Sequence, residues 1–383
     1  MTKQDSVETL LARAGHYLDK TTGAVVPPIQ PSTTFARDEQ GDLYDGNRIY
    51  ARDHSLNTEL AEAVLSQLES GASCKLFASG MAAATALVQT LRPGDRIVAP
   101  QAMYWSLRAW LISFCDDWGI DLAFYNPGNQ ESMHSVVKAA PTQLLWVETP
   151  ANPTWEIVDI NRASALAHEV GAQLIVDSTV STPLLTKPIE RGADFVFHSA
   201  TKYINGHSDV VAGALIAARE DARWERLCKL RAQQGGILSP FDSWLLLRGM
   251  RTMHLRVERS CDNAMKFAQH FENYPSISEV IYPGLTSHPH HQIAAEQMTG
   301  GFGGMLSIRF EGGKARAASI MGRLTGFLRA TSLGGVESLV EHRAVVEGEG
   351  TPVPDDLLRF SIGVENIKDL IEDLEQAINT SQK

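Results

Sequence analysis

Residues 195–207 of this chain read FVFHSATKYINGH, an apolar run followed by a polar turn that contains glycine. The apolar run predicts a buried strand. Lys202 lies in the turn, and Ser199 and Thr201 flank it. A lysine that is partly shielded from water at a strand end has a lowered pKa and can attack a carbonyl compound. The neighbouring hydroxyl groups could hydrogen-bond a phosphate, although a surface lysine in a polar loop is the ordinary alternative for this motif alone.

Outward from this stretch, strand and helix patterns alternate along the chain. Short apolar runs predict strands at 74–77, 96–99, 144–147, 174–176 and 195–197, and helical periodicity predicts helices at 58–69, 81–91 and 162–170. Asn57 is expected to cap the first of these helices. Such alternation is typical of an α/β fold with a mainly parallel sheet covered on both faces. In such sheets the ligand lies at the carboxyl ends of the strands.

The two ends of the chain depart from this alternation of strand and helix patterns. The first fifty residues are expected to be extended, because Pro27, Pro28 and Pro31 disfavour a helix and suit an arm on another surface. After residue 240 we predict one long helical stretch, two strands and a final helix, at 241–271, 305–310, 357–361 and 367–378. The predicted organisation is therefore an N-terminal arm (1–56), a large ligand-binding domain (57–240) and a smaller C-terminal α/β domain (241–383).

Further polar groups lie at other predicted strand ends. Asp177 could keep a pyridine nitrogen protonated, which makes the ring an electron sink. The segment Ser79-Gly80-Met81 stands at a helix start, where backbone N–H groups bind anions. Asn152 could reach a ring hydroxyl, and Tyr104 could stack on a ring. Together with Lys202, these groups suit pyridoxal-5′-phosphate (PLP), although each alone could be an ordinary loop or core residue.

Composition narrows the class of protein. The formal net charge of -11 argues against a nucleic-acid or anionic-membrane partner. There is no apolar run of about 18 residues, so no membrane span is expected, and the N-terminus lacks the pattern of a secretory signal. The four cysteines form no C-x-x-C pair, so we expect buried thiols, no metal site and a cytoplasmic location. A dinucleotide-binding dehydrogenase is disfavoured, because no G-x-G-x-x-G follows the first strands.

Eight motifs, in order along nearly the whole chain, resemble one known family. They are Tyr50-Ala51-Arg52, Ser79-Gly80-Met81, 148–153, Asp177-Ser178-Thr179, 199–205, 282–289, 332–339 and 358–361. The chain resembles the Cys/Met-metabolism family of PLP enzymes, which includes cystathionine γ-synthase, cystathionine β- and γ-lyases and methionine γ-lyase. The resemblance implies the PLP-dependent transferase fold of type I, with a mainly parallel sheet of seven strands.

The resemblance also implies roles for individual residues. Catalysis would fall to Lys202, which carries PLP as a Schiff base, to Tyr104 and to Asp177, which pairs with the pyridine nitrogen. The remaining cofactor contacts would come from Gly80, Met81, Asn152, Ser199 and Thr201, and from Tyr50 and Arg52 of a neighbouring subunit. Arg359 would hold the substrate α-carboxylate by a two-pronged contact, with Ser332 beside it. A homo-oligomer follows, at least a dimer and usually a tetramer.

The implied reaction is a γ-elimination or γ-replacement on a small amino acid, as in the trans-sulfuration lyases and synthases. Three alternatives stay open: β-elimination as in cystathionine β-lyase, C–O cleavage of canavanine, and PLP binding without turnover. A mere carrier would need no carboxylate clamp such as Arg359, which argues against the third. The product, 2-oxobutyrate or pyruvate, would separate γ- from β-elimination.

Three departures from the family pattern bear on the substrate. Trp105-Ser106-Leu107 follows Tyr104 where two glycines and a threonine are usual, so the pocket or its neighbouring loop must be rebuilt. Thr331 stands where cystathionine-handling γ-enzymes commonly have Glu, which puts cystathionine in doubt. Residues 341–343 replace a His-Pro-Ala-type segment and lead into the acidic stretch 347–350. We expect these acids to form a solvated loop; alternatively, one faces the pocket and favours a cationic side chain such as that of canavanine.

Overall fold

The computed structural model describes residues 5–44, 47–348, 351 and 353–381. Two β-sheets form its frame, one of seven strands and one of five. The large sheet comprises β1 (Ser73–Phe77), β2 (Arg96–Pro100), β3 (Asp121–Tyr125), β4 (Leu144–Glu148), β5 (Gln173–Asp177), β6 (Phe195–His198) and β7 (Gly213–Ala217). The small sheet comprises β8 (Ile277–Ile281), β9 (Met305–Phe310), β10 (Leu328–Arg329), β11 (Leu339–Glu341) and β12 (Leu357–Ser361).

Fourteen α-helices are present among the described residues. They are α1 (Val7–Ala12), α2 (Leu56–Leu68), α3 (Gly80–Val88), α4 (Trp105–Trp118), α5 (Gln130–Lys138), α6 (Ile160–Glu169), α7 (Thr182–Leu185), α8 (Ala222–Gln234), α9 (Pro240–Met250), α10 (Met253–Phe271), α11 (His291–Gln297), α12 (Gly313–Arg323), α13 (Arg343–Glu347) and α14 (Ile367–Thr380). Among the same residues, no helix is both long and apolar enough to cross a bilayer.

The large sheet has the strand order β1-β7-β6-β5-β4-β2-β3. The pairs from β6 to β3 are parallel, and β7 runs antiparallel to both β6 and β1. All strands except β7 therefore point the same way, which confirms the predicted mainly parallel α/β sheet. The carboxyl ends of β1, β2, β4, β5 and β6 consequently meet at one edge, and the loops that follow them converge there.

Both faces of this sheet are covered, which explains its continuous apolar strands. In β4, Leu144 and Trp146 pack into the core beneath α3, α4 and α8, whereas Leu145 and Val147 pack into the opposite core with α5 and α6. All four side chains are fully buried. Because side chains alternate between faces, a strand buried on both faces must be apolar at every position.

The small sheet carries its own core. Its strand order is β10-β11-β12-β9-β8. Helices α10 and α12 pack against it, and α14 packs against these two helices and adds to the same core. Phe267, Phe327 and Phe360 meet at its centre, with ring centroids 5.2–5.8 Å apart. The predicted strands 305–310 and 357–361 are confirmed, whereas the boundaries proposed for the arm and the two domains stay a prediction.

The predicted helical stretch 241–271 is wrong as one element, because it is two helices, α9 and α10. The break lies at Arg251 and Thr252. The carbonyl of Gly249 does not bond to the amide four residues on. Instead it accepts from the Thr252 amide and from Nη2 of Arg256, at 3.3 and 2.9 Å. Arg256 thus ends α9, and its Nη1 also donates to the carbonyl of Tyr203, in the loop that follows β6.

Two predictions for the N-terminal part of the chain are wrong: the irregular first fifty residues and the helix cap at Asn57. Residues 7–12 form α1, which buries Leu10 and Leu11, so helix is excluded only around the prolines. Asn57 does not cap α2, because Ser55 occupies the N-cap position, without a side-chain hydrogen bond to the helix, and Asn57 lies inside the helix. The Asn57 amide instead accepts from the Gln30 amide at 2.9 Å and donates to the Pro28 carbonyl at 2.8 Å. The Asn57 side chain therefore holds the extended arm against α2.

Substitution of Gly206 should test how firmly Arg256 holds the loop after β6. Gly206 has φ +71°, and a Cβ there would lie 1.7 Å from Arg256 Nη1. We expect Gly206→Ala to destabilise the protein by about 3 kcal/mol or more, since left-handed strain of about 1–2 kcal/mol adds to a buried clash. Gly94→Ala is the matched control, because Gly94 has φ +90° with nothing within 4 Å. Equal shifts of the urea midpoint for both variants would contradict this role for Arg256.

Candidate functional site

A cavity of about 330 Å³ opens at the carboxyl edge of the large sheet. Eight of the residues singled out from the sequence line it: Gly80, Met81, Tyr104, Asn152, Asp177, Ser199, Thr201 and Lys202. They lie at or shortly after the carboxyl ends of β1, β2, β4, β5 and β6. The parallel strand direction is therefore what brings these distant parts of the sequence together.

Lys202 lies in the turn after β6 and is half-buried. Its Nζ donates to Oγ of Ser332 at 2.8 Å. Burial, and then the nearby Arg359 guanidinium, lower the pKa of Lys202 to about 8. A lysine in this state is a usable nucleophile and proton acceptor near neutral pH.

The start of α3 provides a site for an anion. Ser79 caps this helix through its Oγ, which accepts from the Ala82 amide at 3.0 Å. Gly80 follows, and a Cβ at this position would lie only 3.1 Å from Ser199 Oγ. The absence of a side chain at Gly80 thus leaves room at the helix start beside a hydroxyl, as a phosphate requires. The Thr201 hydroxyl lies nearby but already bonds to the backbone of Ala212.

Two neighbouring carboxyl groups form the floor of the cavity. Asp177 ends β5 and Glu148 ends β4, and the two are direct partners in the parallel register. Burial raises the pKa of Asp177 to about 6, although the Thr179 amide donates to it. Burial and the charge of Asp177 raise the pKa of Glu148 to about 8. A cationic ring nitrogen beside Asp177 would relieve this crowding of acidic groups.

Glu148 has a structural task that its place in the sequence motif did not reveal. Its two oxygens accept from the amides of Tyr104 and Asn152, both at 3.0 Å. One carboxyl group thereby fixes the two loops that place an aromatic ring and an amide at the cavity. The signal in the sequence was its position at a strand end next to that of Asp177.

Arg359 lies on β12 and reaches the large sheet's site from the small sheet. Its guanidinium donates to the Ser332 carbonyl at 2.9 Å, to Asn152 Oδ1 at 3.3 Å and to Glu341 Oε2 at 2.6 Å. Burial lowers the pKa of Arg359 to about 10. Because Ser332 also accepts from Lys202, the amine and the guanidinium are linked through one residue. Ser332 itself has φ +130°, a strained backbone for a non-glycine residue.

Tyr50 and Arg52 do not line the cavity of their own chain. Tyr50 forms a bridge with Thr34, and the Arg52 guanidinium lies 5.2 Å from the centre of the Tyr50 ring. Tyr50 is 43% exposed, and Arg52 is exposed as well. Their contact with a cofactor in a neighbouring subunit stays a prediction.

Comparisons with known proteins show the family. The family model described as "Cys/Met metabolism PLP-dependent enzyme" matches residues 8–379. The chain belongs to this family. It is 43% identical over 378 residues to cystathionine gamma-synthase of Mycobacterium tuberculosis (strain ATCC 25618 / H37Rv), covering 97% of this chain and 96% of that protein. It is 37% identical to cystathionine beta-lyase of Coxiella burnetii (strain RSA 493 / Nine Mile phase I), covering 98% of both chains.

The fold also agrees with that of a solved protein structure. The crystal structure of metB from Corynebacterium glutamicum superposes with a TM-score of 0.94 at 38% identity, covering 98% of each chain. The chain is therefore a PLP-dependent enzyme with the fold that the resemblance implied, and PLP is its cofactor. The non-catalytic alternative is set aside with this finding.

PLP fits the cavity in three respects. The half-buried amine of Lys202 can bond to its aldehyde carbon, and the open helix start at Gly80 with the Ser199 hydroxyl suits its phosphate. Asp177 lies on the cavity floor, where a carboxylate favours the protonated pyridine nitrogen. The three groups come from different segments of the chain that line one cavity, so they can act on one bound molecule.

The lowered pKa of Lys202 makes a prediction for the cofactor-free enzyme. Only the neutral amine reacts with the PLP aldehyde, and at pH 7 a pKa of about 8 instead of 10.5 increases the neutral fraction about 300-fold. The rate at which added PLP restores the yellow absorbance should thus rise with pH up to about 8 and then level off. Nα-acetyllysine amide is the control, since its reaction should keep accelerating beyond pH 10. A protein profile parallel to that of the control would contradict the prediction.

The departures from the family pattern also have visible consequences. Trp105 begins α4 and is 42% exposed, and it lines a second cavity of about 370 Å³ beside the first. Asn152 lines both cavities. Of the three residues after Tyr104 that depart from the family pattern, Trp105 thus lines the side cavity and Leu107 lines the first one.

The expectation that the acidic residues form a solvated loop is wrong for two of them. Glu341 is buried on β11 and accepts from Arg359, Arg343 and Thr331. Glu347 accepts from Arg343 at 2.7 Å and from Thr351 at 2.6 Å. Glu349 lies outside the described residues. Both described carboxylates are thus already paired with arginine, so neither offers a free charge to a guanidinium substrate such as canavanine.

Proposed function

We propose that this enzyme cleaves or replaces the bond between Cγ and a leaving group of a small amino acid. The observation that carries the proposal is a pair of hydrogen bonds that link Lys202 to Ser332 and Ser332 to Arg359. They hold a reactive amine close to a cation that can bind an α-carboxylate, beside one cavity. The relatives named cystathionine γ-synthase support γ-chemistry, and a cystathionine-type thioether or an activated homoserine ester is the substrate class we expect.

The cofactor would be held by groups from several loops. We assign the phosphate to Gly80, Met81, Ser199 and Thr201, the pyridine nitrogen to Asp177 and the ring hydroxyl to Asn152. Thr201 would have to share its hydroxyl between the phosphate and the Ala212 carbonyl. When bound, PLP supplies an electron sink that stabilises negative charge at Cα and Cβ of the substrate.

The protein's own groups would place the substrate and move its protons. Arg359 would hold the α-carboxylate, which places the Cα–H bond near Lys202 Nζ. With a pKa of about 8, the Lys202 amine can accept the Cα proton and return a proton later. Tyr104 lines the same cavity and would stack on the ring, and its hydroxyl would donate a proton to the departing group.

We also propose a homo-oligomer, a dimer or a tetramer, that acts in the cytoplasm. Large apolar side chains of the arm are exposed in the single chain, among them Val25 at 67%, Tyr44 at 80% and Ile49 at 53%. A second subunit would cover them and receive Tyr50 and Arg52 at its cofactor site. The four cysteines are free, which suits a reducing compartment.

The relative named cystathionine β-lyase supports a second candidate, β-elimination. The two reactions give different products from L-cystathionine: cysteine, 2-oxobutyrate and ammonia for γ-elimination, and homocysteine, pyruvate and ammonia for β-elimination. Thr331 lies beside Glu341 and brings no carboxylate of its own, so other substrates belong in the same test.

The deciding experiment incubates purified enzyme with L-cystathionine, with an acyl-homoserine plus L-cysteine, and with L-canavanine. Chromatography of the oxo acids, cystathionine and released leaving groups identifies the reaction. We expect 2-oxobutyrate from cystathionine, or cystathionine from the acyl-homoserine. Pyruvate as the sole oxo acid would establish β-elimination, and no product from any of the three would reject the proposal.

A further inference from the structure

One oxygen of Glu341 is shared by two buried arginines. Oε2 accepts from Arg359 Nη2 at 2.6 Å and from Arg343 Nη1 at 3.0 Å, while Oε1 accepts from Thr331 at 2.5 Å. Arg343 and Arg359 are 2% and 3% exposed. Two cations on one carboxylate oxygen is more than an isolated ion pair needs, and the proposed chemistry assigns a task to Arg359 alone.

Binding of a substrate would disturb this arrangement. A two-pronged contact with an α-carboxylate uses N–H groups of Arg359 that now donate to Glu341, Ser332 and Asn152. Both forks of a guanidinium that can hold a carboxylate include Nη2, which here donates to the Ser332 carbonyl and to Glu341. The substrate must therefore displace one of these two acceptors, and we take Glu341 to be the one displaced. If Arg343 were not there as a second cation, Glu341 would then be buried without a positive partner, and such a carboxylate is strongly destabilised unless it takes up a proton.

We propose that Arg343 is a positioning residue that keeps Glu341 ionised when the substrate carboxylate takes Arg359. This inference rests on the proposed role of Arg359. Arg343 is anchored on its far side, where Nη2 donates to Glu347 at 2.7 Å, and Glu347 is also held by Thr351. The second arginine therefore stays in place while the first changes its partner.

The charges around Glu341 agree with this exchange. Burial favours its neutral form, but Arg359, the Thr331 hydroxyl and Arg343 lower the pKa of Glu341 below its usual value. Glu347 and, when ionised, Tyr203 favour the charged form of Arg359. Glu341 raises and Arg343 lowers the pKa of Lys202. Loss of Arg343 would leave Glu341 without a hydrogen-bonded cation once Arg359 has turned to the substrate.

The test removes the Arg343–Glu347 ion pair as a unit, in the variant Arg343→Met/Glu347→Gln. The ligand is L-norvaline, an amino acid without a leaving group, bound to the PLP-loaded enzyme. Calorimetry in two buffers of different ionisation enthalpy counts the protons taken up per ligand. We expect the double variant to take up as much as about one proton more per ligand than the wild type does. Its affinity for norvaline should then fall by up to about tenfold for each unit by which the pH is raised, a dependence that the wild type lacks.

Three variants make the result specific. Arg343→Lys retains the cation and should restore the wild-type proton count. Adding Glu341→Gln to the double variant removes the group that takes up the proton, so the excess should vanish. Arg343→Gln replaces the double variant if the latter does not fold, as judged from its bound-cofactor absorbance. A merely structural role of Arg343 would change affinity without changing the proton count.

The outcomes separate this inference from the proposed function. Norvaline binding that is unchanged in Arg359→Leu would reject the carboxylate clamp and the inference with it. Weakened binding in Arg359→Leu, together with a wild-type proton count in the cofactor-loaded variant that lacks the cation (Arg343→Met/Glu347→Gln or, in its place, Arg343→Gln), would overturn the inference and leave the proposed function standing.

Discussion

Replacement of Lys202 by alanine should lower the turnover number by about 10⁴-fold, because this variant loses both the amine that bonds PLP and the proposed acceptor of the Cα proton. The amine lies beside Ser332 in the cavity, and no other lysine lines it among the described residues. The yellow absorbance of the covalently bound cofactor should disappear with activity. Spectrophotometry and a product assay at saturating substrate measure the two effects.

Lys229→Ala is the matched control for this experiment, since Lys229 is exposed on α8. It should keep both the absorbance and the activity. A Lys202→Ala protein that still shows the band and turns over substrate would mean that another amine carries the cofactor, and the assignment of the site would be wrong.

Replacement of Arg359 by leucine should lower kcat/KM by about 10²- to 10³-fold, mainly through a higher KM. Truncating one partner of a buried charged contact costs about 2–5 kcal/mol. Arg359→Lys should recover only part of this loss, because an ammonium group keeps the charge but not the two-pronged geometry. Initial rates over a range of substrate concentrations separate kcat from KM for each variant.

The control for Arg359 is Arg162→Leu, at a side chain that is 73% exposed on α6. It should leave both kinetic constants unchanged. If Arg359→Leu altered kcat alone and left KM as it was, the guanidinium would act on the chemical step rather than on binding of the α-carboxylate.

Glu148 shows where inference from the sequence stopped short. The motif 148–153 contains Glu148, yet the sequence suggests a role only for Asn152, because an amide near a ring hydroxyl has an evident use. The tertiary structure shows that Glu148 accepts from the amides of Tyr104 and Asn152 and lies in register with Asp177. The bond from the Tyr104 amide joins residues that are 44 apart in sequence, so no local pattern predicts it.

The helix break after α9 and the pairing of Glu341 have the same explanation. The helical periodicity of 241–271 is local and continues through the break, whereas the break follows from Arg256, which binds carbonyls of both Gly249 and Tyr203. For Glu341 the sequence predicts a place in a solvated acidic loop, because its charge and its neighbours in sequence favour that interpretation. Its burial follows from the antiparallel register that puts it opposite Arg359.

The sequence by itself determined the alternating α/β pattern, the family and the eight cavity residues at the strand ends, because side-chain periodicity and strand-end motifs are local properties. The tertiary structure decided which charges meet. Lys202 and Ser332 are 130 residues apart, and Arg359 and Asn152 are 207 apart. Such contacts depend on how the small sheet packs against the carboxyl edge of the large one, and burial then sets the pKa of each group that the packing brings together.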